Sequence, residues 1–333
     1  MKKKISIIYN EGSVSKTNYQ QKIADLDTYK TAVMVRRAVI NNGYKVEVIK
    51  YTPKTVKNIN KLNSTDVIFN LCEWTGVDWP LSVYVIKELE KKNIPFTGTD
   101  LKGMKISCDK LQMKKLMIQN GIRTPDYLVY RGKWTKELQK NIEGINLPVI
   151  IKPAWEHCGI GIHQSSVVKN WTNIKITAKI VYEKYHQPIL IEEFIAGKEI
   201  HVTVIQNSKL IVLPPVEIKY LTNDLLKPIL SFEAKWDMKS KEYNNCDSEL
   251  AKLSKDVMED VNNQAKRSFQ KLVRRGYARI DMRVHAGKAY VLEANANPGL
   301  DADPYYQMNI SSRSLGWNFE NLIGKILACA DYR

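Results

Sequence analysis

Two short motifs near the C-terminal end carry the strongest chemical signal: Arg279-Ile280-Asp281 and Glu293-Ala294-Asn295. Residues two apart on a strand share a face, so Arg279 pairs with Asp281 and Glu293 with Asn295. Val284-His285-Ala286-Gly287-Lys288 reads as the turn of an antiparallel hairpin. Across it Asp281, Glu293 and Asn295 converge. Three hard oxygen donors beside an arginine suit Mg²⁺ bridging phosphate oxygens. A salt-bridged surface hairpin is the competing reading. The apolar Tyr290-Val291-Leu292 next to Glu293 weighs against a fully solvated strand.

Lys152 closes the apolar run Pro148-Val149-Ile150-Ile151. A lysine at the end of a buried strand costs desolvation unless it meets an anion. The following loop, Pro153 to Gly161, holds two glycines and offers backbone N–H donors to phosphates. It matches neither the P-loop nor the dinucleotide fingerprint. Glu192-Glu193-Phe194-Ile195 leaves a strand before Gly197, a place where an adenine finds backbone partners and an apolar wall. Cys158 beside His157 allows a nucleophile reading. Adjacent residues rarely aim both side chains at one point, so a small loop residue is the plainer one. His201 reads as a strand residue. The five histidines show no metal-ligand spacing.

These residues need a scaffold. The first hundred residues alternate strand and helix: strands at 4–9, 45–50 and 67–71, helices near 24–42 and 82–92. That order predicts a parallel sheet covered on both faces. A helix is expected at 109–120, with strands at 127–130, 147–152 and 189–193 and a helix at 171–185. Strands at 201–206 and 210–213 follow. A polar segment from Glu217 to Ser248, a helix from about Glu249 to Arg275, the hairpin and a helical tail complete the chain. The expected divisions are 1–100, 101–190 and 191–333.

The chain has 333 residues, a length for two or three domains. Hydrophobic residues make up 44% and charged residues 26%, as in soluble globular proteins. The apolar stretch Ile5–Tyr9 is too short for a secretory signal, and no run is long enough to span a bilayer. The reading is a cytoplasmic protein with no membrane partner. Five scattered cysteines without a Cys-x-x-Cys fit a reducing compartment. The net charge is +16, partly local: residues 101–140 carry ten basic and three acidic side chains. A lysine-rich solvated surface accounts for the rest. No stacking motif or helix-turn-helix supports a nucleic-acid partner.

In order, Ser107-Cys108-Asp109-Lys110, Ile151-Lys152-Pro153, Glu192-Glu193-Phe194-Ile195-Ala196-Gly197-Lys198-Glu199, Arg279-Ile280-Asp281 and Glu293-Ala294-Asn295-Ala296-Asn297-Pro298-Gly299 resemble the ATP-grasp superfamily. Within it the chain most resembles D-alanine–D-alanine ligases, over about residues 1–325. Asn70 to Asp78 stands where those enzymes have a His-Gly-…-Gly-Glu-Asp loop. Phe232-Glu233-Ala234-Lys235-Trp236 matches their mobile loop, and Pro95-Phe96-Thr97-Gly98 their first domain exit. The resemblance implies an α/β (α+β) fold of three domains with an N-terminal parallel-sheet domain. It implies ATP with two Mg²⁺ ions. Lys110 and Lys152 would meet the α- and β-phosphates and Lys235 the γ-phosphate. Glu192, Glu193, Phe194 and Ile195 would line the adenine, and Glu199 would hold the ribose. Asp281, Glu293 and Asn295 would hold metal, and Arg279 with the Gly299 amide would stabilise an oxyanion. The implied partners are a small-molecule carboxylate and an amine, and a homodimer is left open.

The chain departs from the family on the substrate side. Cys158 stands for a serine, Trp236 for a tyrosine, and Cys72-Glu73 for His-Gly. The stretch Glu11–Tyr29 is longer than the family's and does not single out an acidic residue for a substrate amine. Leu300-Asp301-Ala302-Asp303-Pro304 replaces a Ser/Thr/His run that holds a carboxylate. Asp301 and Asp303 either face the pocket, favouring a cation, or cap a helix. Glu73, Cys158, Trp236, Asp301 and Asp303 are thus the substrate-side candidates. The expectation is an ATP-dependent carboxylate–amine ligase with altered substrates, with Gly159, Gly161 and segment 217–248 as lids. A nucleotide-binding sensor or scaffold without ligase activity is the alternative.

Overall fold

The isoleucine-rich strand β1 (Lys4–Asn10) is buried from Ile5 onward and lies at the centre of a parallel sheet. The computed structural model of the chain describes residues 4–11, 19–62, 67–221 and 228–331. Residues 12–18 of the Glu11–Tyr29 stretch and 222–227 of the expected lid lie outside them. The helix α1 (Tyr19–Asn41) buries Ala32, Val35, Ala38 and Val39 on one sheet face, as its apolar spacing requires. β2 (Lys45–Tyr51) and β3 (Val67–Leu71) flank β1, both parallel to it. Successive side chains of β1 alternate between faces: Ile7 joins the α1 side, while Ile8 packs with Val85, Ile86 and Leu89 of α2 (Pro80–Lys91). A single parallel bridge, Ile68 to Phe96, ends this part.

Two short helices follow, α3 (Leu101–Ser107) and α4 (Lys110–Gln119). Their starts are set by aspartates: Asp100 accepts from the Gly103 N–H, and Asp109 from those of Leu111 and Gln112. Strands β4 (Tyr127–Tyr130), β5 (Val149–Pro153), β6 (Val167–Val168) and β7 (Ile189–Glu193) form an antiparallel sheet in the order β4-β7-β5-β6. Leu138 and Ile142 of α5 (Lys136–Ile142) and Ile174 and Ala178 of α6 (Trp171–Tyr185) close its core.

The third sheet contains β8 (Lys198–Gln206), β9 (Leu210–Val212), β10 (Val216–Tyr220), β11 (Cys246–Leu250), β12 (Gly276–His285) and β13 (Lys288–Ala296). Its order is β11-β10-β8-β12-β13, with β9 also on β8. The short helices α7 (Phe232–Trp236) and α8 (Lys241–Asn244) precede β11, and α9 (Lys255–Ser268) packs Val261 and Ala265 under the sheet. Here the sequence reading is corrected. Segment 217–248 is not merely a polar stretch, and no helix starts at Glu249. β10 and β11 pair there, and α9 begins after Ser254. β11 is an edge strand with no fully buried residue, so its local apolar signal is weak and pairing to β10 defines it.

The chain ends in α10 (Gln307–Arg313) and α11 (Phe319–Ala328). Leu322, Ile323 and Ile326 of α11 return to the core beneath β1, together with Tyr277 and Leu300. Among the described residues, no helix is long and apolar enough to cross a membrane.

Candidate active site

The register of β8, β12 and β13 lines polar side chains up in cross-strand rows. Thr203, Arg279 and Asn295 form one, His201, Asp281 and Glu293 the next, and Glu199 with Arg283 the third. The pairing of β12 with β13 slips by one residue just past Asp281, a bulge of the kind that re-aims side chains beside sites. Arg279 grips Asp281 with two nitrogens, at 2.7 and 2.8 Å. The Asn295 amide nitrogen reaches Asp281 at 2.9 Å and Glu293 at 3.3 Å. A donor thus occupies the point where both carboxylates converge. A hard cation suits the same point when the amide presents its oxygen, so this donor set fits Mg²⁺. Among the described residues no three His, Cys, Asp or Glu side chains cluster as a ready cage; the third donor is the amide.

Cations ring this floor. The Lys110 ammonium lies 3.4 Å from Glu293 and donates to the Glu156 carbonyl, while the Lys110 backbone N–H binds the Ala154 carbonyl at 3.1 Å. Lys152, Lys235 and Lys110 line one cleft with Asp281 and Glu293. Burial works against Glu293's charge, but Lys110 and its neighbours hold the carboxyl well below the usual range. Lys152 meets the anion its position demands, since it pairs with Glu192. The other Glu192 oxygen takes Lys114, so both oxygens are spoken for by lysines, not held open for adenine.

His157 lines the same cleft, and Glu73 lies 3.7 Å from His157. Burial, with Lys110 next, pulls His157 down to about 3, so it is neutral at pH 7. Glu73 is pushed up to about 7, first by burial and then by the charge of Glu293. A carboxyl raised in the fold favours the folded state fully below its ordinary value of 4.5, and loses that advantage as pH rises through about 7. The melting temperature of the nucleotide-free protein is therefore expected to fall from about pH 5 to pH 8, and Glu73→Gln to flatten that slope. Thermal scans across pH decide it; an unchanged slope in the variant would assign the effect elsewhere.

At the cleft's far end Phe194 and Ile195 supply an apolar wall. The Glu193 side chain turns outward to Asn146 at 3.1 Å. Glu199 is gripped by Arg283 at 2.8 Å and by the Tyr220 hydroxyl at 2.6 Å. Burial opposes its charge, but Arg283 and these partners bring it down to about 2.

On the substrate side, the Trp236 indole donates to the Cys158 carbonyl at 2.9 Å, linking α7 to the glycine loop. A Cβ on Gly159, whose φ is +77, would lie 3.4 Å from the Lys235 side chain. Burial pushes the Cys158 thiol up to about 12, so it stays protonated and is no nucleophile. The Gly299 carbonyl accepts from Tyr306. Asp301 accepts the Asp303 N–H, and Asp303 accepts the Tyr305 N–H, each at 2.8 Å. Neither caps a helix: α10 starts after Tyr306 with no side-chain cap. Asp303 is exposed. Thr31 of α1 bonds the Leu300 carbonyl at 3.0 Å. Asp27, one turn earlier, is raised first by burial and then by Asp301.

Four site residues escape sequence reasoning: Lys114, His157 and Arg283 as site members, and His201 as the neighbour of Glu199 and Asp281. Two had a signal. Arg283 is two residues past Asp281, on the same strand face, and Lys114 is four past Lys110, on the same helix face.

A carboxylate-bearing hairpin facing Lys152 of a second antiparallel sheet, behind a parallel-sheet first part, is the ATP-grasp architecture. A family model described as D-ala D-ala ligase C-terminus matches residues 116–328. The chain is 32% identical over 303 residues to a D-alanine–D-alanine ligase of Pelagibacter ubique, covering 90% of each chain. It is 28% identical over 271 residues to an uncharacterised protein of Sinorhizobium fredii, covering 81% of this chain and 76% of that one. A D-alanine–D-alanine ligase of Bacillus anthracis solved with ATP superposes with a TM-score of 0.76 at 22% identity, covering 99% and 97%. The chain therefore belongs to the D-alanine–D-alanine ligase family.

Proposed function

We propose that this protein is an ATP-dependent ligase that joins a carboxylate to an amine through an acyl phosphate, with substrates other than two D-alanines. The observation that supports the first part is one cleft holding Lys110, Lys152, Lys235, Asp281 and Glu293. A carboxylate is a poor acylating agent because oxide leaves badly. Transfer of the γ-phosphoryl group to the carboxylate makes an acyl phosphate and releases ADP. An amine then attacks the carbonyl, phosphate departs and the amine loses a proton. In this reading Lys110 and Lys152 hold the α- and β-phosphates and Lys235 the γ-phosphate. Asp281, Glu293 and Asn295 would hold Mg²⁺, whose chemistry is to neutralise phosphate charge. Arg279, fixed by Asp281, and the Gly299 amide stabilise the oxyanion. Phe194 and Ile195 flank the adenine, the latter by its backbone, and Glu199 takes the ribose. Trp236 and Cys158 hold the lid shut against water. Units of 1–100, 101–190 and 191–333 belong to the same reading, with β7 (Ile189–Glu193) straddling the second boundary.

The altered-substrate part rests on the place of Asp301, two residues past Gly299, with Asp27 of α1 close enough to feel its charge; in this reading the pair favours an amine with added positive charge or without a free carboxylate. Asp301→Asn is expected to raise KM for such an amine roughly three- to tenfold, with little change for ATP. An unchanged KM would withdraw the charge argument. The function itself is tested by incubating the protein with ATP, Mg²⁺ and pools of amino acids, dipeptides and diamines. ADP, phosphate and a new amide by mass spectrometry are expected. AMP as the stoichiometric product would sink the mechanism, and ATP binding unaffected by every pool would favour the sensor.

A further inference from the structure

Lys114 is 1% exposed, an ammonium within the protein that the mechanism above does not use. Its Nζ donates to Glu192 and, at 2.5 Å, to the Thr124 hydroxyl, which itself donates to the Val291 carbonyl at 2.7 Å. Glu192 is wholly buried, and its second oxygen takes Lys152. Burying three charges in one row is costly unless each is paired, and here one carboxylate serves two ammoniums. Lys152 and Glu192 line the nucleotide cleft. Lys114 stands behind Glu192, out of a ligand's reach. Burial brings Lys114 down to about 8, so it remains largely cationic at pH 7; burial also opposes the charge of Lys152, but Glu192 and Glu293 outweigh it and Lys152 is raised.

The row thus holds two positive charges and one negative. Without Lys114, Glu192 and Lys152 would cancel, and a polyphosphate would meet a neutral pair. We propose that Lys114 is a positioning residue that neutralises Glu192 from behind, leaving Lys152 a full positive charge for the phosphates of the nucleotide. The proposal rests on the nucleotide reading above and deepens it. Its signature is a loss that grows with phosphate charge, which a distorted pocket would not produce. A buried unit charge about 10 Å away is worth about tenfold in affinity at an effective dielectric constant near 20.

The test uses the full chain, with ATP titrated by calorimetry and adenosine by ligand-observed NMR. Lys114→Met, and Lys114→Gln, which keeps a donor without the charge, are expected to weaken ATP at least about tenfold and adenosine less than about twofold. Lys114→Met with Glu192→Gln restores one net positive charge and is expected to bring the ATP-to-adenosine affinity ratio back to within about threefold of the parent. This double variant leaves no unpaired carboxylate, so it keeps the test open if Lys114→Met alone does not fold. A parental ratio in Lys114→Gln, equal losses for both ligands, or no recovery in the double variant would overturn the proposal. Failure of the parent protein to bind ATP would instead remove the nucleotide reading itself.

Discussion

Glu293→Gln is expected to lower ATP-consuming turnover by about a hundred- to a thousandfold while the protein stays folded. The change keeps the side chain's volume and one oxygen but removes its charge. Glu293 faces Asp281 directly across the hairpin, and the Asn295 amide touches both. Its negative charge is stabilised by Lys110 even though burial opposes it. A glutamine would leave Lys110 without that anion and halve the carboxylates available to a divalent cation. Two readouts separate the causes. ADP release with the active substrate pool reports turnover, and electron paramagnetic titration with Mn²⁺ in the presence of ATP reports metal affinity. Both are expected to fall together. Near-normal turnover, or normal Mn²⁺ affinity, would take Glu293 out of the metal site.

The second large effect is structural. Gly276→Ala is expected to destabilise the protein by about 2–4 kcal/mol, a fall in melting temperature of roughly 5–15 °C. Gly276 is the first residue of β12 and has φ +78, a region that costs a residue with a Cβ. A Cβ there would sit 2.3 Å from the backbone carbonyl carbon of Gly98. Gly98 in turn has φ +96 and leaves no room beside Asn297, which follows the β12–β13 hairpin. The clash is backbone on backbone, so no side chain can turn away to relieve it. Scanning calorimetry gives the answer; a change under about 1 kcal/mol would mean that this junction yields easily. Because the exit from the first sheet presses on the start of β12, which carries Arg279 and Asp281, the proposed activity is expected to drop at temperatures well below the unfolding transition.

What could be read from the residues was local. Period-2 spacing puts Arg279 with Asp281 and Glu293 with Asn295, and a short turn sequence implies their hairpin; the pairing Arg279–Asn295 and Asp281–Glu293 agrees. Strand and helix alternation at the start implies the parallel sheet, and the helix expected at 109–120 is α4, with Asp109 as its cap. The ordered motifs carried the family, which the comparisons bear out. These features depend on a few neighbouring residues, where sterics and hydrogen bonding act within one strand or turn. Tertiary structure decided the rest. β11 exists as a strand because β10 pairs with it, not because its own residues prefer one. Whether Glu192 stays open for a ligand depended on Lys114, brought from a helix 78 residues earlier. Asp301 and Asp303 read equally well as caps, and only the place where α10 begins removed that role. The charge state of Glu73 and His157 follows from desolvation by chain segments far apart in sequence. Burial and long-range Coulomb terms are properties of the packed molecule, and no window of sequence contains them.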